Sequence, residues 1–595
     1  MITHWNSVFI TFAAAACGAL LISSAAWAES PPDAGRLLEE TQKTLPPKLP
    51  EKPGVQMPVP QEPAMKERNE AKIFVKSFVF SMDFPVVPEP ELQQIVKDYI
   101  NREVTFGELE EAAGKVTAYL RKKGYFLARA YIPQQDIIDG IVKINVIIGK
   151  AEAGKDGKIV EVEGEPKRLK ESVVQGIMDG TVKAGEPLEL GRLERGILLI
   201  NDLPGITAST NLSAGSTPGT TRIAVKLKEG PVITGSAGFD NFGNRYTGRE
   251  RFLGNFNIND LTGYGDTITL TGLQAGEPVF NINKGKMWLW RAGWLVPIGH
   301  SGLQAGVAYT SLGYRTGEET ANLDSHGTAR TWAANASYPI IRSRENNLYT
   351  SIMYEHKNLF DTTVASVIDD KRVNVITMGL NGNVLDTFGG GGYTAYGVSV
   401  KGGQLDLGKD PEDLAVDQQT LKTDGNYWKL NYNVERQQNM GSGFTLYGML
   451  TGQYAGKNLD TSEQMTLGGP TGVRAYAAGE APGDNEVLMN MELRKDFPGS
   501  TPLGHIQVLA FFDSGWVALH KNTWANWNSI NPVLSNSYGL SGAGAGVNIS
   551  RTSLYVIKAF WAATIGSNPG LSASGLDSEG RRHDNRFWVQ GVAYF

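Results

Sequence analysis

From Pro231 to Phe595 the chain is made of short segments that alternate residue by residue, and no other feature constrains its fold as tightly. In residues 505–513, His505, Gln507, Leu509, Phe511 and Asp513 share one face, while Ile506, Val508, Ala510 and Phe512 share the other. In residues 487–495, Asn490, Glu492 and Arg494 oppose Val487, Met489, Met491 and Leu493. In residues 427–436, Lys429, Asn431, Asn433 and Glu435 oppose Trp428, Leu430, Tyr432 and Val434. A soluble barrel hides its apolar face inside, whereas a barrel in lipid turns it outward and keeps a polar lumen. One alternating strand also suits a half-buried soluble sheet, but a long succession behind an export signal points to lipid. Beyond the N-terminal residues no stretch reaches 18 consecutive apolar residues, which excludes a spanning helix there. A closed barrel is then the form that satisfies every backbone group within a membrane. About 365 residues, at roughly 20–25 per strand plus connection, predict about 14–18 strands.

The N-terminus reads as that export signal. An apolar run over residues 8–22 is followed by Ser23-Ser24 and by Ala26-Trp27-Ala28, an A-x-A cleavage site. Residues 1–28 are therefore expected to be removed, and with them Cys17, the single cysteine of the chain. No disulfide or cysteine-based metal site can form within the chain. The net charge of −6, spread along the sequence, argues against a nucleic-acid binder.

Between signal and barrel lie three further segments. Residues 29–70 hold a predicted short helix over 33–44, with Asp33 as N-cap and Leu37, Leu38 and Thr41 on one side. Seven prolines from Pro46 to Pro63 then impose an extended, semi-rigid linker. Residues 71–152 and 153–230 read as two β-α-α-β-β units. The first predicts a strand over 73–80, a helix from Pro88 to Ile100 and a helix from the capping box Thr105-x-x-Glu108 to Lys123, with Gly124 as stop. Strands over 126–133 and 140–148 follow. The second predicts a strand over 158–163, helices over 166–178 and 190–202, and strands over 206–213 and 221–228. Leu109 and Leu193 hold matching places, so the repeat is about 80 residues.

Particular motifs carry a resemblance. The two units look like POTRA domains. Leu467-Gly468-Gly469-Pro470-Thr471-Gly472-Val473-Arg474-Ala475-Tyr476, with Gly479-Glu480 and Gly483-Asp484, resembles the loop motif of the two-partner secretion transporters. These are the TpsB proteins, the ShlB/FhaC/HecB haemolysin secretion/activation family within the BamA-like superfamily. Phe511-Phe512-Asp513-Ser514-Gly515 matches that superfamily's F-x-D-x-G strand motif. Residues 199–205 are similar to the end of the second POTRA helix, and Asp240-Asn241-Phe242-Gly243 with Arg245-Tyr246-Thr247-Gly248 to the first barrel hairpin. Phe595, terminal on a lipid-facing strand, resembles the signal read by the barrel assembly machinery. The resemblance covers residues 30–595. It implies a 16-stranded transmembrane antiparallel barrel behind two POTRA domains, with a loop folded into the lumen. Val473, Arg474, Ala475 and Tyr476 would form that loop's motif, and Phe511, Asp513 and Gly515 the strand motif, with Arg474 paired to Asp513. Strand parity alone also places Asp513 inward, and an inward carboxylate in a narrow lumen needs a partner. The family usually has Gly where Ala475 stands, and Ala tolerates φ > 0 poorly, so the loop tip is expected to be shaped differently.

Other motifs carry no chemistry on this reading. Gly403-x-x-x-x-Gly408-Lys409 half-matches a phosphate loop, but Asp410 replaces the needed Ser/Thr and no strand–loop–helix context is expected. His300, His326, His356, His505, His520 and His583 are scattered without metal-ligand spacing. The Gly-rich stretch 541–546 suits tight barrel packing. No catalytic, cofactor or metal residues are expected, and the chain is not expected to be an enzyme. The resemblance implies a translocator in the bacterial outer membrane. Its POTRA domains would recognise an unfolded partner exoprotein (TpsA-type) in the periplasm, and its barrel would export it. A BamA-like insertase and, behind it, a passive porin are the alternatives.

Overall fold

The computed structural model describes residues 32–45, 72–154, 156–164, 167–276, 285–497 and 501–595. The expected signal with Cys17, and the proline-rich linker after residue 45, lie outside the described residues.

Helix α1 (Ala34–Lys43) begins where the sequence predicts, with the Asp33 carboxylate accepting the Arg36 N–H. The first sheet unit differs from its expected β-α-α-β-β order. The expected strand over 73–80 is two strands, β1 (Lys72–Val75) and β2 (Ser77–Met82), broken at Lys76. Helix α2 (Glu89–Val96) ends in a 3-10 turn, and an unexpected strand, β3 (Arg102–Thr105), pairs with β1. Helix α3 (Phe106–Lys122) carries the predicted capping box, and Gly124 stops it at φ +102°. Only β4 (Arg129–Tyr131) of the strand expected over 126–133 joins the sheet, because Ala128 N–H turns back to Tyr125. β5 (Ile141–Ile147) sits between β2 and β4.

The second unit contains β6 (Lys150–Ala151), β7 (Val160–Glu163), α4 (Glu171–Thr181), α5 (Leu190–Asn201), β8 (Ile206–Ala214) and β9 (Thr220–Glu229). Helix α4 starts later than the expected 166. The N–H groups of Arg168 and Leu169 go to the Glu229 carboxylate, and that of Lys170 to Gly263 O, instead of opening a helix.

Sixteen antiparallel strands then close into a barrel. They run β10 (Ile233–Asp240), β11 (Arg251–Asn259), β12 (Thr267–Ala275), β13 (Lys286–Pro297), β14 (Gln304–Arg315), β15 (His326–Arg342), β16 (Asn346–Thr362) and β17 (Val367–Asp386). β18 (Gly392–Asp406), β19 (Gly425–Gly441) and β20 (Phe444–Ala455) follow. The connection after β20 contains a hairpin of β21 (Met465–Thr466) and β22 (Pro482–Gly483). β23 (Asn485–Asp496), β24 (His505–Ala518), β25 (Ser537–Arg551), β26 (Tyr555–Ile565) and β27 (Asn585–Tyr594) complete the circle, and β27 pairs with β10. The wall is inside out. Asp513 is fully buried while Phe512 next to it is exposed, and Trp428, Val434, Met491 and Leu493 face outward. Helix α6 (Pro411–Gln419) lies in the connection between β18 and β19, so a strand–loop–helix does follow Gly403 after all. Its few apolar residues leave no periodicity to read. Asp410 caps it through the Glu412 and Asp413 N–H groups, putting a carboxylate where a phosphate would sit.

The second unit docks on the near rim of the barrel. Asp202, at the end of α5, takes a forked contact from Arg342 of β15 at 2.6 and 3.0 Å. Arg344 reaches Glu194 at 2.9 Å, and Arg195 donates to Pro339 O at 2.8 Å. Asn201 of the same motif bonds Ala208 through both N–H and C=O, tying α5 to β8.

Candidate functional site

The connection from β20 to β23 folds back into the lumen, and its tip is held against β23–β27. Arg474 donates Nε to Asp513 Oδ2 at 2.9 Å and Nη2 to Oδ1 at 2.8 Å, the fork-on-carboxylate geometry of a planar guanidinium. Its backbone N–H also reaches Asp513 Oδ2, at 3.1 Å. The sequence-predicted pair is therefore in contact. It has further members that motif reasoning missed. Nη1 of Arg474 donates to Glu492 at 2.7 Å, Asn490 Nδ2 bridges Asp513 Oδ1 and Gly472 O, and Trp588 Nε1 donates to Arg474 O at 2.7 Å. Glu492 and Asn490 were visible as inward by parity, but nothing in the sequence joined them to Arg474.

The strand motif has a physical reading position by position. Phe511 lies under the guanidinium, 3.6 Å from Arg474 Cζ to the ring centre. Asp513 supplies the charge. A Cβ on Gly515 would fall 2.6 Å from Leu467 Cδ2, so glycine leaves room for the loop. The same logic covers the Gly-rich strand β25. A Cβ on Gly542 would meet Ala475 Cβ at 2.5 Å, on Gly544 the Phe511 ring, and on Gly546 the Phe560 ring. Ala475 corrects an expectation. It is not among the residues with positive φ, so it needs no glycine, and it is buried over Gly542. Val473, Ala475 and Tyr476 pack with Leu467, Leu488, Phe511 and Leu540. Phe595 caps the closing strand outward, 5.6 Å from the Phe256 ring.

The rising arm of the same connection is fastened to the opposite wall. Lys357 Nζ of β16 lies 2.7 Å from Glu463 Oε1 and Lys429 Nζ of β19 lies 3.0 Å from Oε2, while Lys371 of β17 holds Asp460 at 2.7 Å. Burial pushes the Glu463 carboxyl up, but Lys357 and Lys429 outweigh it and hold it well below the ordinary range. Buried Glu480, on the falling arm, accepts from Asn568 Nδ2 and the Ser578 N–H of the last connection.

Helix α1 lies in the lumen beside this arm. Leu37, Leu38 and Ala34 pack on the inner faces of Leu289, Leu312, Ala329, Leu359 and Val373. Among the described residues its polar ties to the wall are few: Ala34 N–H to Asp361 at 3.0 Å, Thr41 Oγ1 to Met287 Sδ at 3.8 Å, and Thr44 Oγ1 accepting from Arg251 at 2.9 Å. Gly35 passes so close to the arm that a Cβ there would fall 2.5 Å from Ser462 Cβ. Between α1 and the loop tip remains a cavity of about 310 Å³ lined by Thr41, Lys43, Arg251, Gln453, Gly469 and Gly472. Arg251 itself forks onto Asp240 of the first hairpin motif at 2.7 and 3.0 Å.

Residues 219–549 match the family described as haemolysin secretion/activation protein ShlB/FhaC/HecB, and residues 75–149 match the ShlB-type POTRA domain. The heme/hemopexin transporter protein HuxB of Haemophilus influenzae strain 86-028NP is 28% identical over 509 residues, 85% of this chain and 84% of that one. The outer membrane transporter CdiB of Escherichia coli is 23% identical over 588 residues, 97% and 92% of the two chains. The solved structure of CdiB from Escherichia coli superposes with a TM-score of 0.69 at 18% identity, covering 91% of this chain and 94% of that one, which shows a common fold. With a closed inside-out barrel behind POTRA units and more than half its length matched, this chain belongs to the ShlB/FhaC/HecB haemolysin secretion/activation family, the non-enzymatic outer-membrane transporters of two-partner secretion.

Proposed function

We propose that the POTRA units take an unfolded exoprotein from the periplasm and that it crosses the barrel through the lumen after α1 has left. The observation that carries this reading is the seat of α1, packed on the inner wall by apolar side chains and joined to a linker long enough to let it go. Residues 44–71 separate it from β1, and 28 residues at about 3.1 Å each could span up to roughly 90 Å. Residues 29–70 would then act as plug and tether, 71–149 and 150–230 as receptor units, and 231–595 as conduit; the boundary expected after 152 falls after 149 because β6 pairs with β9 of the second unit. The pair Arg474–Asp513 would hold the loop inside the lumen during passage.

Strand addition suits the first unit. Among the described residues β2 pairs only with β5, so no strand covers its other edge; Val79 on it is exposed, and Phe78 O takes a side-chain bond from Gln93 Nε2 at 2.9 Å. An extended segment can bind there through its main chain. The periplasm holds no ATP, so folding of the cargo outside would supply the drive. The insertase alternative loses ground because the relatives described above are named as a heme/hemopexin transporter and an outer membrane transporter.

Release of α1 is tested by locking it. Gly35→Cys with Ser462→Cys places two Cβ atoms next to each other, and a small shift brings them to the roughly 3.5–4.5 Å of a disulfide. Oxidised cells are expected to keep the cargo inside, and reduction to restore its appearance in the medium. Equal secretion in both states would show that α1 need not move.

A further inference from the structure

The outward wall carries a polar site that export does not use. The second POTRA unit docks at the turns before β12, β14 and β16, which marks those strand ends as periplasmic and the opposite ends as extracellular. Among the described residues, the outward faces of β19, β20 and β23–β27 carry charged groups only at the periplasmic rim, at Arg436, Lys495 and Arg551. Three neighbouring strands behave differently. Arg330 on β15, Asn358 on β16 and Arg372 on β17 stand side by side in register and point outward. Strands spaced about 4.8 Å apart place the two arginine backbones on the order of 10 Å from each other. The row beneath is Trp332, His356 and Asn374.

These polar groups are organised. Asn374 Oδ1 accepts from Tyr354 OH at 3.0 Å and lies 2.8 Å from His356 Nδ1, while Asn358 Nδ2 donates to His356 Nε2 at 3.1 Å. With a polar neighbour on each ring nitrogen, the imidazole is held in one orientation. The arginines are not committed elsewhere. No carboxylate within ion-pair distance of Arg330 or Arg372 occurs among the described residues. Asp406, beside Arg372 across the ladder, accepts the Gly408 N–H, and Asp370 pairs with Lys409 at 2.7 Å.

Depth decides what can meet them. On β16 the outward residues from the periplasmic end are Leu348, Thr350, Ile352 and Tyr354 before His356 and Asn358. A tilted strand crosses the hydrocarbon in about 9–11 residues, so the Arg330–Asn358–Arg372 row lies at the headgroup plane of the outer leaflet. The tilted rings of Trp290, Tyr309 and Trp332, with centroids 5.1 and 4.5 Å apart, mark the aromatic girdle that borders this row and the one beneath it. Two unpaired guanidiniums at this plane call for an anion, and their planar forks suit phosphate oxygens.

We propose that Arg330 and Arg372, with Asn358 between them, bind the phosphomonoester of a phosphorylated lipid headgroup in the outer leaflet, its acyl chains lying along the wall past Trp332 and Tyr354. The full chain, purified in detergent, is offered a diphosphorylated glucosamine-disaccharide lipid or the same lipid enzymatically dephosphorylated, and native mass spectrometry counts retained lipid. Wild type is expected to retain the phosphorylated lipid at least about tenfold more tightly than the dephosphorylated one. Arg330→Gln with Arg372→Gln should remove that preference, and Arg436→Gln at the periplasmic rim should not. Heat-modifiable migration reports whether each variant is folded. If the double variant does not fold, the two lipids on wild type decide alone. Equal retention of both lipids by wild type, or an unchanged preference in the folded double variant, overturns the site.

Discussion

Two pieces of chain occupy the lumen, and they are fastened by different physics. The loop tip is held by directional contacts: a forked Arg474–Asp513 pair, a second carboxylate at Glu492, and a glycine trough on β25 cut to its shape. Helix α1 is held mainly by apolar burial, with few hydrogen bonds to the wall and a cavity on the side facing the loop tip. Directional contacts fail abruptly when one member is removed, because a charged group is left without its partner. Apolar contacts fail gradually and tolerate sliding. The loop is thus built to keep one position, and the helix to be dislodged without breaking a network.

The comparison breaks most visibly if the helix is removed. Deleting residues 32–45 should convert the reconstituted barrel from brief openings to a persistent conductance several-fold larger in planar bilayers. Leu37→Ala with Leu38→Ala should give an intermediate record, since each truncation of a buried leucine costs about 2–5 kcal/mol. Unchanged conductance after the deletion would mean that the lumen is closed by something other than α1.

The loop should respond less in conductance and more in export. Arg474→Ala leaves Asp513 short of its guanidinium at a cost of about 1–3 kcal/mol, roughly five- to 150-fold in the population of the seated loop. That is too small to unfold a barrel of sixteen strands. Arg474→Ala and Asp513→Ala should each insert normally and secrete poorly, and Arg474→Lys should recover only part, because an ammonium cannot fork. Cargo in the medium at matched outer-membrane levels is the measurement. Full secretion by both alanine variants would show the pair to be dispensable.

A subtler change probes shape without charge. Gly542→Ala puts a methyl where Ala475 Cβ already lies 2.5 Å away, an overpacking that costs about 1–3 kcal/mol. Secretion should fall, by less than in Arg474→Ala, and Ala475→Gly in the same chain should restore it. A double variant as poor as the single one would mean that the trough is not what seats the tip.

Strand parity and the spacing of short motifs made much of this legible. The inside-out alternation identified the barrel, and parity placed Asp513, Glu492 and Asn490 inward before any contact was known. The helix at residues 34–43 was readable from Asp33 and from Leu37, Leu38 and Thr41. What escaped depends on distant residues. Glu463 meets Lys357 from 106 positions away, and nothing local marks either. The late start of α4 is dictated by Glu229, far along the chain. Helix α6 was invisible because it packs little apolar surface, and β3 because four residues of mixed polarity show no period. The sequence marks the glycines of β25 as packing residues, but which side chains they admit appears only once the loop is inside.

The smallest expected effect is a flat pH response where a titrating lock would give a steep one. Glu463 fastens the arm that α1 leans on, and its two lysines hold its carboxyl well below its ordinary value of 4.5. A carboxyl lowered in the folded state contributes stability above its unfolded pKa, and loses it only as pH falls through the folded one. From about pH 7 to about pH 5 Glu463 stays ionised in both states, so the contribution is constant. It begins to fade only below 4.5 and is gone well beneath that. Glu463→Gln removes the charge at every pH and should raise the open probability by freeing the arm. The gap between wild type and Glu463→Gln should hold steady from about pH 7 to about pH 5 and close only in more acidic buffer. Reading the gap, and not the absolute open probability, cancels the titration of other luminal carboxylates common to both proteins. A gap that shrinks between about pH 7 and about pH 5 would mean that Glu463 titrates near its ordinary range, and that the two lysines do not grip the arm as their distances imply.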